Sequence, residues 1–333
     1  MKLKVGNGRK HNRYISIALL PAACLLFRSW GQTPTIAQDP QVNLQTRPSS
    51  GGADRLASIR INADLVLIPV LVTDHRDRPI TGLQKDHFKL YDDKVEQVIS
   101  NFTSEDAPVS IALLFDCSGS MGPKLEKSRA AVREFLQTAN PEDEFSLIEF
   151  NDRAKLISGF TDKIEEIQNQ LMFAGSKGAT ALLDAIYLAI NEMKNAKHTR
   201  KAILIISDGG DNSSRYTAKE VKNALREADV QVYSIGILEP FNGRLTPEEM
   251  TGPVLLGEIA QETGGRLFEV YDLNDLRDIA TRIGAALRNQ YVLGYAPPEI
   301  KHDGKYHRIQ VKVERVKGLP PLRATFRSGY YGR

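Results

Sequence analysis

Residues 109–120 read VSIALLFDCSGS. The stretch 109–115 is almost unbroken in its apolar character, which predicts a strand covered on both faces rather than one. Asp116, Ser118 and Ser120 follow at once, with Gly119 allowing a tight backbone between them. In an open α/β sheet the carboxyl ends of strands are where ligands are held. One carboxylate and two hydroxyls on such a loop can be aimed at a single point.

The pattern outward from this stretch alternates strands with helices. Residues 124–139 carry Leu125, Ser128, Ala131, Val132 and Phe135 at helical spacing. Residues 145–150 read as a strand, and Leu182, Ala185, Ile186, Ala189 and Met193 mark another helix. A second fully apolar strand, AILII, occupies 202–206. Thr217 and Glu220 have the spacing of a capping box before the stripe Val221, Ala224, Leu225 and Ala228. A strand over 230–237 follows, then helices over 255–263 and 273–287 on either side of a strand at 266–270. Alternation of this kind predicts an α/β fold, a doubly wound, mostly parallel sheet with helices on both faces.

The flanks are different. Residues 64–73 (DLVLIPVLVT), 88–91 and 95–102 are β-like, with turn signals at Asp77-Arg78-Pro79 and Asp92-Asp93. Beyond residue 290, Ile309, Val311 and Val313 alternate with polar residues, as in a half-buried strand, after a turn signal at Asp303-Gly304. Each flank has fewer than about 50 residues and is marginal alone. The expected arrangement is one small β-sandwich built from both flanks, with the α/β unit inserted in it.

The amino terminus reads as an address. Residues 1–37 hold six basic groups and no acidic one, and residues 14–27 (YISIALLPAACLLF) are largely apolar. A helix over those residues would be about 21 Å long, short of the ~30 Å hydrocarbon core. A basic head, a short apolar stretch and Thr35-Ile36-Ala37 describe a secretory signal peptide cleaved before Gln38. An uncleaved anchor, or a lipid anchor at Cys24, are the other two readings, and they are the only membrane attachment expected. Residues 38–57 are rich in Pro, Gly, Ser and Gln and read as a flexible linker. The expected divisions are therefore 1–37 signal peptide, 38–57 linker, 58–106 N-terminal β region, 107–288 α/β domain and 289–333 C-terminal β region. An exported chain would keep only Cys117, so no intrachain disulfide is expected.

Two further oxygen-bearing residues stand in matching contexts. Asp208 follows the AILIIS strand within SDGG, and Thr180 lies in Gly178-Ala179-Thr180 just before a helix. All of these donors are oxygens, which suits a hard cation such as Mg²⁺ or Mn²⁺ and not zinc. Asp211 is a nearby carboxylate that could tune such a site, although solvated loop surface is its simpler reading. Cys117 reads as a small side chain packed beneath the loop.

DCSGS, GAT and SDGG, in that order and on those elements, resemble the metal-ion-dependent adhesion site (MIDAS) of a von Willebrand factor type A domain, over roughly residues 107–288. The resemblance implies a Rossmann-like fold. It implies that Ser118 and Ser120 bind Mg²⁺ (Mn²⁺ or Ca²⁺ as alternatives) directly, and that Thr180, Asp116 and Asp208 bind it directly or through water. The open coordination position would take an acidic group of a protein partner. Residues 65–93 and the tail from YVLGYAPP to FRSGYYGR also resemble a group of exported bacterial proteins with such domains, which implies a periplasmic, envelope-associated or secreted protein. A scaffold of an envelope assembly, with structural or absent metal and contacts through the sandwich, is the alternative function.

Other classes find less support. Hydrophobic residues are 41% and charged residues 26% of the 333, so a globular chain is expected. Beyond residue 37 there remain 38 basic and 41 acidic residues, with no basic stripe for nucleic acid. No G-x-G-x-x-G and no Walker loop is present, so no nucleotide is expected. A phosphatase of the haloacid dehalogenase type needs a second Asp where Ser118 stands, and its proton donation would be lost. None of His11, His75, His87, His198, His302 and His307 stands in a triad context, and G-x-S-x-G is absent. No enzyme activity is expected. Asn101-Phe102-Thr103 and Asn212-Ser213-Ser214 have the form of glycosylation sequons, and both read as chance matches.

Overall fold

The computed structural model describes residues 65–104, 106–238, 247–297 and 304–332. The expected signal peptide and linker, and the first residues of the N-terminal β region, lie outside the described residues, as do His302 and Asp303. In chain order the elements are β1 (Val66–Thr73), β2 (Phe88–Asp92), β3 (Val95–Gln97), β4 (Asn101–Thr103), β5 (Val109–Asp116), α1 (Leu125–Gln137), β6 (Glu144–Phe150) and β7 (Ala154–Thr161). They continue with α2 (Ile164–Met172), α3 (Leu182–Glu192), β8 (Arg200–Ser207), α4 (Ala218–Ala228), β9 (Gln231–Ile237) and α5 (Pro247–Thr263). The chain ends with β10 (Leu267–Val270), α6 (Leu276–Arg288), β11 (Gln290–Tyr295), β12 (Tyr306–Val313), β13 (Arg323–Phe326) and β14 (Gly329–Tyr331).

The apolar run at 109–115 becomes β5, and all eight of its residues are buried. Its side chains alternate between two layers, as the pleat requires. Ile111, Leu113 and Phe115 pack with Val132, Phe135, Ile279 and Ile283 of α1 and α6. Ala112 and Leu114 pack with Leu182, Ile186, Val221, Leu225 and Ile259 of α3, α4 and α5. The sheet order is β10-β9-β8-β5-β6-β7. Every pairing is parallel except that of β6 with β7. The chain leaves β5 toward β6, then returns to β8 on the other side. That reversal brings the carboxyl ends of β5 and β8 together, at the switch point where such sheets hold ligands. The expected cap of α4 is formed, with Glu220 N donating to Thr217 Oγ1 at 3.3 Å and Thr217 N to Glu220 Oε2 at 2.8 Å.

Two elements of the α/β unit have no counterpart in the sequence reading. β7 is an edge strand with no fully buried residue, so it lacks an apolar period. α2 is nine residues long and buries only Ile167 and Leu171, too few for a helical stripe to be read. Before α1, residues 119–124 form a tight 3₁₀ turn containing Pro123, so the α-helix begins at Leu125.

The flanks form two four-stranded sheets, β13-β1-β11-β4 and β14-β12-β2-β3. Their facing sides share one core: Ile68, Val70, Val72, Leu90, Leu293, Ile309 and Val311. β1 pairs with β11 and β2 with β12, so each sheet needs strands from both flanks. β12 shows the expected alternation of buried and open residues. The Asp92-Asp93 turn is a two-residue hairpin, with φ of 48° at Asp93 and 72° at Lys94, as a type I′ turn demands. The stretch 95–102, expected as one β-like run, is instead split. β3 stays beside β2, and β4 crosses to pair with β11 in the other sheet.

Two short connections join sandwich and α/β unit at the amino end of β5. The Arg200 guanidinium donates to Ala107 O at 2.7 Å and also to Leu287 O, gripping both connections at once. Gln290, the first residue of β11, donates to Tyr233 Oη at 3.0 Å and to Gln231 Oε1 at 2.9 Å. Arg266 pairs with Asp77 at 2.6 Å, and Arg327 pairs with Asp229. Leu71 of β1 even enters the core beneath α1 and α6.

Candidate metal centre

Asp116 closes β5 with no exposed surface. Its Oδ1 accepts from Ser118 N at 2.8 Å, and its Oδ2 accepts from Ser207 Oγ at 2.5 Å. Ser207 Oγ also accepts from Gly209 N at 2.9 Å, so this one hydroxyl aims Asp116 and shapes the turn after Asp208. Ser118 is buried, Ser120 is exposed, and their hydroxyl oxygens are 3.2 Å apart.

The Thr180 loop is fastened from two sides. Gly119 N donates to Gly178 O at 3.0 Å and Lys177 N to Cys117 O at 2.9 Å, which zips it to the DCSGS loop. Asn212 Oδ1 accepts from Thr180 N at 2.9 Å, while Asn212 N and Ser213 N both donate to Thr180 O. Ala179 N donates to Asp152 Oδ1 at 2.8 Å. Gly119 eases this approach, since a Cβ there would stand a tight 3.3 Å from Gly178 O. Gly209 is required on both counts: its φ is 88°, and a Cβ would stand 2.8 Å from the Gly252 carbonyl carbon of α5.

Asp116, Ser118, Ser120, Thr180 and Asp208 thus occupy three loops tied to one another. Asp211 belongs to a different task. Its Oδ1 accepts from Ser214 Oγ at 2.6 Å and from Leu183 N at 3.3 Å, so it caps the start of α3, which corrects its reading as solvated surface. Cys117 is buried, and burial pushes its thiol up to about 12, which leaves it inert beneath the loop. Ser207, Asn212 and Asp152, which hold these loops, and Lys124, whose Nζ lies 3.3 Å from Asp208 Oδ2, are the neighbours that sequence reasoning missed. Only Ser207, next to Asp208, carried a signal in its position.

The donor chemistry fits a hard dication. Asp116 and Asp208 are two buried carboxylates at the ends of adjacent strands. Burial is the main force that pushes the Asp116 carboxyl up to about 6; the hydrogen bonds from Ser118 and Ser207 oppose it, and the charge of Asp208 adds to it. A divalent cation would answer that strain, and the three hydroxyls supply neutral oxygens.

A second cluster, Asp92, Asp93 and His307, lies in the sandwich, with one ligand-capable atom from each within 4.8 Å of the others. These groups already serve the fold. Asp92 Oδ2 accepts from Tyr295 Oη at 3.0 Å and Tyr330 Oη at 3.1 Å, Asp93 Oδ1 accepts from Arg308 N, and Asp93 Oδ2 is 2.7 Å from His307 Nδ1.

Known proteins offer an independent comparison. Residues 111–210 match the family model described as von Willebrand factor type A domain. An uncharacterised protein of Borreliella burgdorferi is 27% identical over 190 residues, covering 50% of this chain and 55% of that protein. Inter alpha-trypsin inhibitor heavy chain 4 of Mus musculus is 22% identical over 235 residues, 62% of this chain and 24% of the relative. The human voltage-dependent calcium channel subunit alpha-2/delta-2 is 25% identical over 142 residues, 39% of this chain and 12% of the subunit. The chain therefore spans 55% or less of the length of these relatives. Among solved structures, the von Willebrand factor type A protein from Catenulispora acidiphila is 14% identical, covers 82% of this chain and 74% of its own, and superposes with a TM-score of 0.47. The strand order and the switch-point loops agree with the match over residues 111–210, a stretch that is similar to a von Willebrand factor type A domain.

Proposed function

We propose that the chain is a metal-ion-dependent protein-recognition module of the bacterial envelope or exterior, with no catalytic turnover. Asp116, Ser118, Ser120, Thr180 and Asp208 would hold Mg²⁺, with Mn²⁺ or Ca²⁺ as alternatives. When bound, the ion supplies an electrophilic position for a carboxylate of the partner. The observation that carries this reading is the buried pair Asp116–Asp208 beside an exposed Ser120 hydroxyl, on loops fixed before any ligand arrives. Prepaid order of this kind lowers the cost of binding. A relative that is by name a subunit of a channel fits a role in protein association. Export rests on the pattern of residues 1–37. No helix among the described residues is long and apolar enough to cross a membrane.

The test is a thermal melt with Mg²⁺ or Mn²⁺ against EDTA. Metal at about 100 times its dissociation constant stabilises the folded state by about 2.7 kcal/mol. At roughly 2–4 °C per kcal/mol, the expected shift is several degrees. It should disappear in Asp116→Ala and shrink in Ser120→Ala, whose exposed side chain leaves the fold untouched. Absence of a saturable shift in the unmodified chain would sink the proposal.

A further inference from the structure

Lys124 is buried although it is charged. It is 6% exposed, and its Nζ lies 3.3 Å from Oδ2 of Asp208, itself 7% exposed. Lysine is almost never buried without an anionic partner. Here one such partner is a carboxylate assigned above to the metal. The placement is fixed by the fold. Lys124 ends the 3₁₀ turn that starts at Gly119, and its carbonyl accepts from Ser128 Oγ at 2.9 Å in the first turn of α1. The backbone is therefore held at Lys124, and its ammonium reaches Asp208 at the carboxyl end of β8.

We propose that Lys124 is a built-in counter-cation of the metal centre. Its ammonium stabilises the Asp208 carboxylate before a metal arrives, and it opposes the dication that must share that carboxylate. The inference rests on the metal reading above. Two positive groups a few ångströms apart in a buried site repel strongly, because the surrounding dielectric is low. Lys124 thus keeps the empty centre folded at the expense of metal affinity, and it sets how much free metal the centre needs before it fills.

The test is calorimetric titration of Mn²⁺ and Mg²⁺ into the purified chain, its Lys124→Met variant and its Lys124→Arg variant, with melts in EDTA beside them. Lys124→Met keeps the stem and removes the charge. It should bind Mn²⁺ at least about tenfold more tightly, the change produced by one modest charge contact. It should also melt lower than the unmodified chain in EDTA and recover most of that loss with metal. Lys124→Arg keeps the charge and should not gain affinity. Should the Met variant fold poorly, Lys124→Gln replaces it, with the same expectation. Equal or weaker metal binding by the uncharged variants, or an equal gain in Lys124→Arg, overturns the inference. If the unmodified chain binds Mn²⁺ and Lys124→Met is unchanged, only this inference fails. If neither binds, the metal reading fails and this inference falls with it.

Discussion

The α/β unit and the sandwich use the same side chains for opposite ends. In the α/β unit, carboxylates and hydroxyls collect at the carboxyl ends of β5 and β8, on loops with one hydroxyl open to solvent. In the sandwich they lie within the core. Tyr291 Oη accepts from Leu83 N at 3.0 Å and donates to Ile80 O at 2.8 Å, and the Tyr295 and Tyr330 hydroxyls both turn to Asp92. Polar groups that face solvent remain available to a ligand. Polar groups sealed by neighbours specify one packing. A cluster of Asp and hydroxyl groups is therefore assigned by what closes over it, not by its composition.

The largest expected effect tests whether the two regions unfold as one. Leu113 of β5 and Leu90 of β2 are both fully buried, in different cores. Either change to Ala should cost about 2–5 kcal/mol. Because Arg200 and Gln290 lock the regions together, calorimetry should show a single transition, lowered in both variants. A separate early transition in Leu90→Ala alone would break the unity. Tyr295→Phe comes next. Loss of its bond to buried Asp92 should cost about 1–3 kcal/mol, with Mg²⁺ affinity unchanged by calorimetric titration. A weakened metal site in that variant would erase the division of labour between the two clusters.

The smallest effect is a pH dependence confined to the sandwich. Hydrogen bonds from Arg78 above all, then Arg76, hold the Asp74 carboxyl at about 2, below its ordinary 3.8. A carboxyl depressed in the folded state contributes stability that is complete above the unfolded value and is lost as pH falls through the folded one. The contribution should thus fade between about pH 4 and pH 2. Asp74→Asn should flatten the slope of stability over that window, as followed by acid titration of the melting temperature. An unchanged slope would remove Asp74 from the acid response.

How much was legible follows the same contrast. β5 and β8 are covered on both faces, so their apolar runs announce themselves. Of the candidate metal ligands, Asp116, Ser118, Ser120 and Asp208 directly follow those runs, whereas Thr180 lies apart from them, before α3. β3 and β4 were not separable, because one short β-like stretch serves two sheets and a change of partner leaves no mark in local hydrophobicity. β7 has an open face, and α2 has too little apolar stripe. Asn212, Asp152 and Lys124 act through long-range contacts, 32, 27 and 84 residues away in sequence. No local pattern encodes such partners, and a lysine in an amphipathic turn is ordinarily solvated.

The grip of Arg200 on both connections has a mechanical consequence. The candidate metal loop and the two covalent tethers lie at opposite ends of β5, eight residues or about 23 Å apart at strand rise. Tension applied to a partner held at the metal would enter the strand at Asp116 and leave it at Val109. β5 lies between β6 and β8, parallel to both, and a load entering and leaving on this one strand would run along its covalent backbone without shearing either ladder of hydrogen bonds. The proposed metal face and both connections to the sandwich would thus be joined by a single central strand.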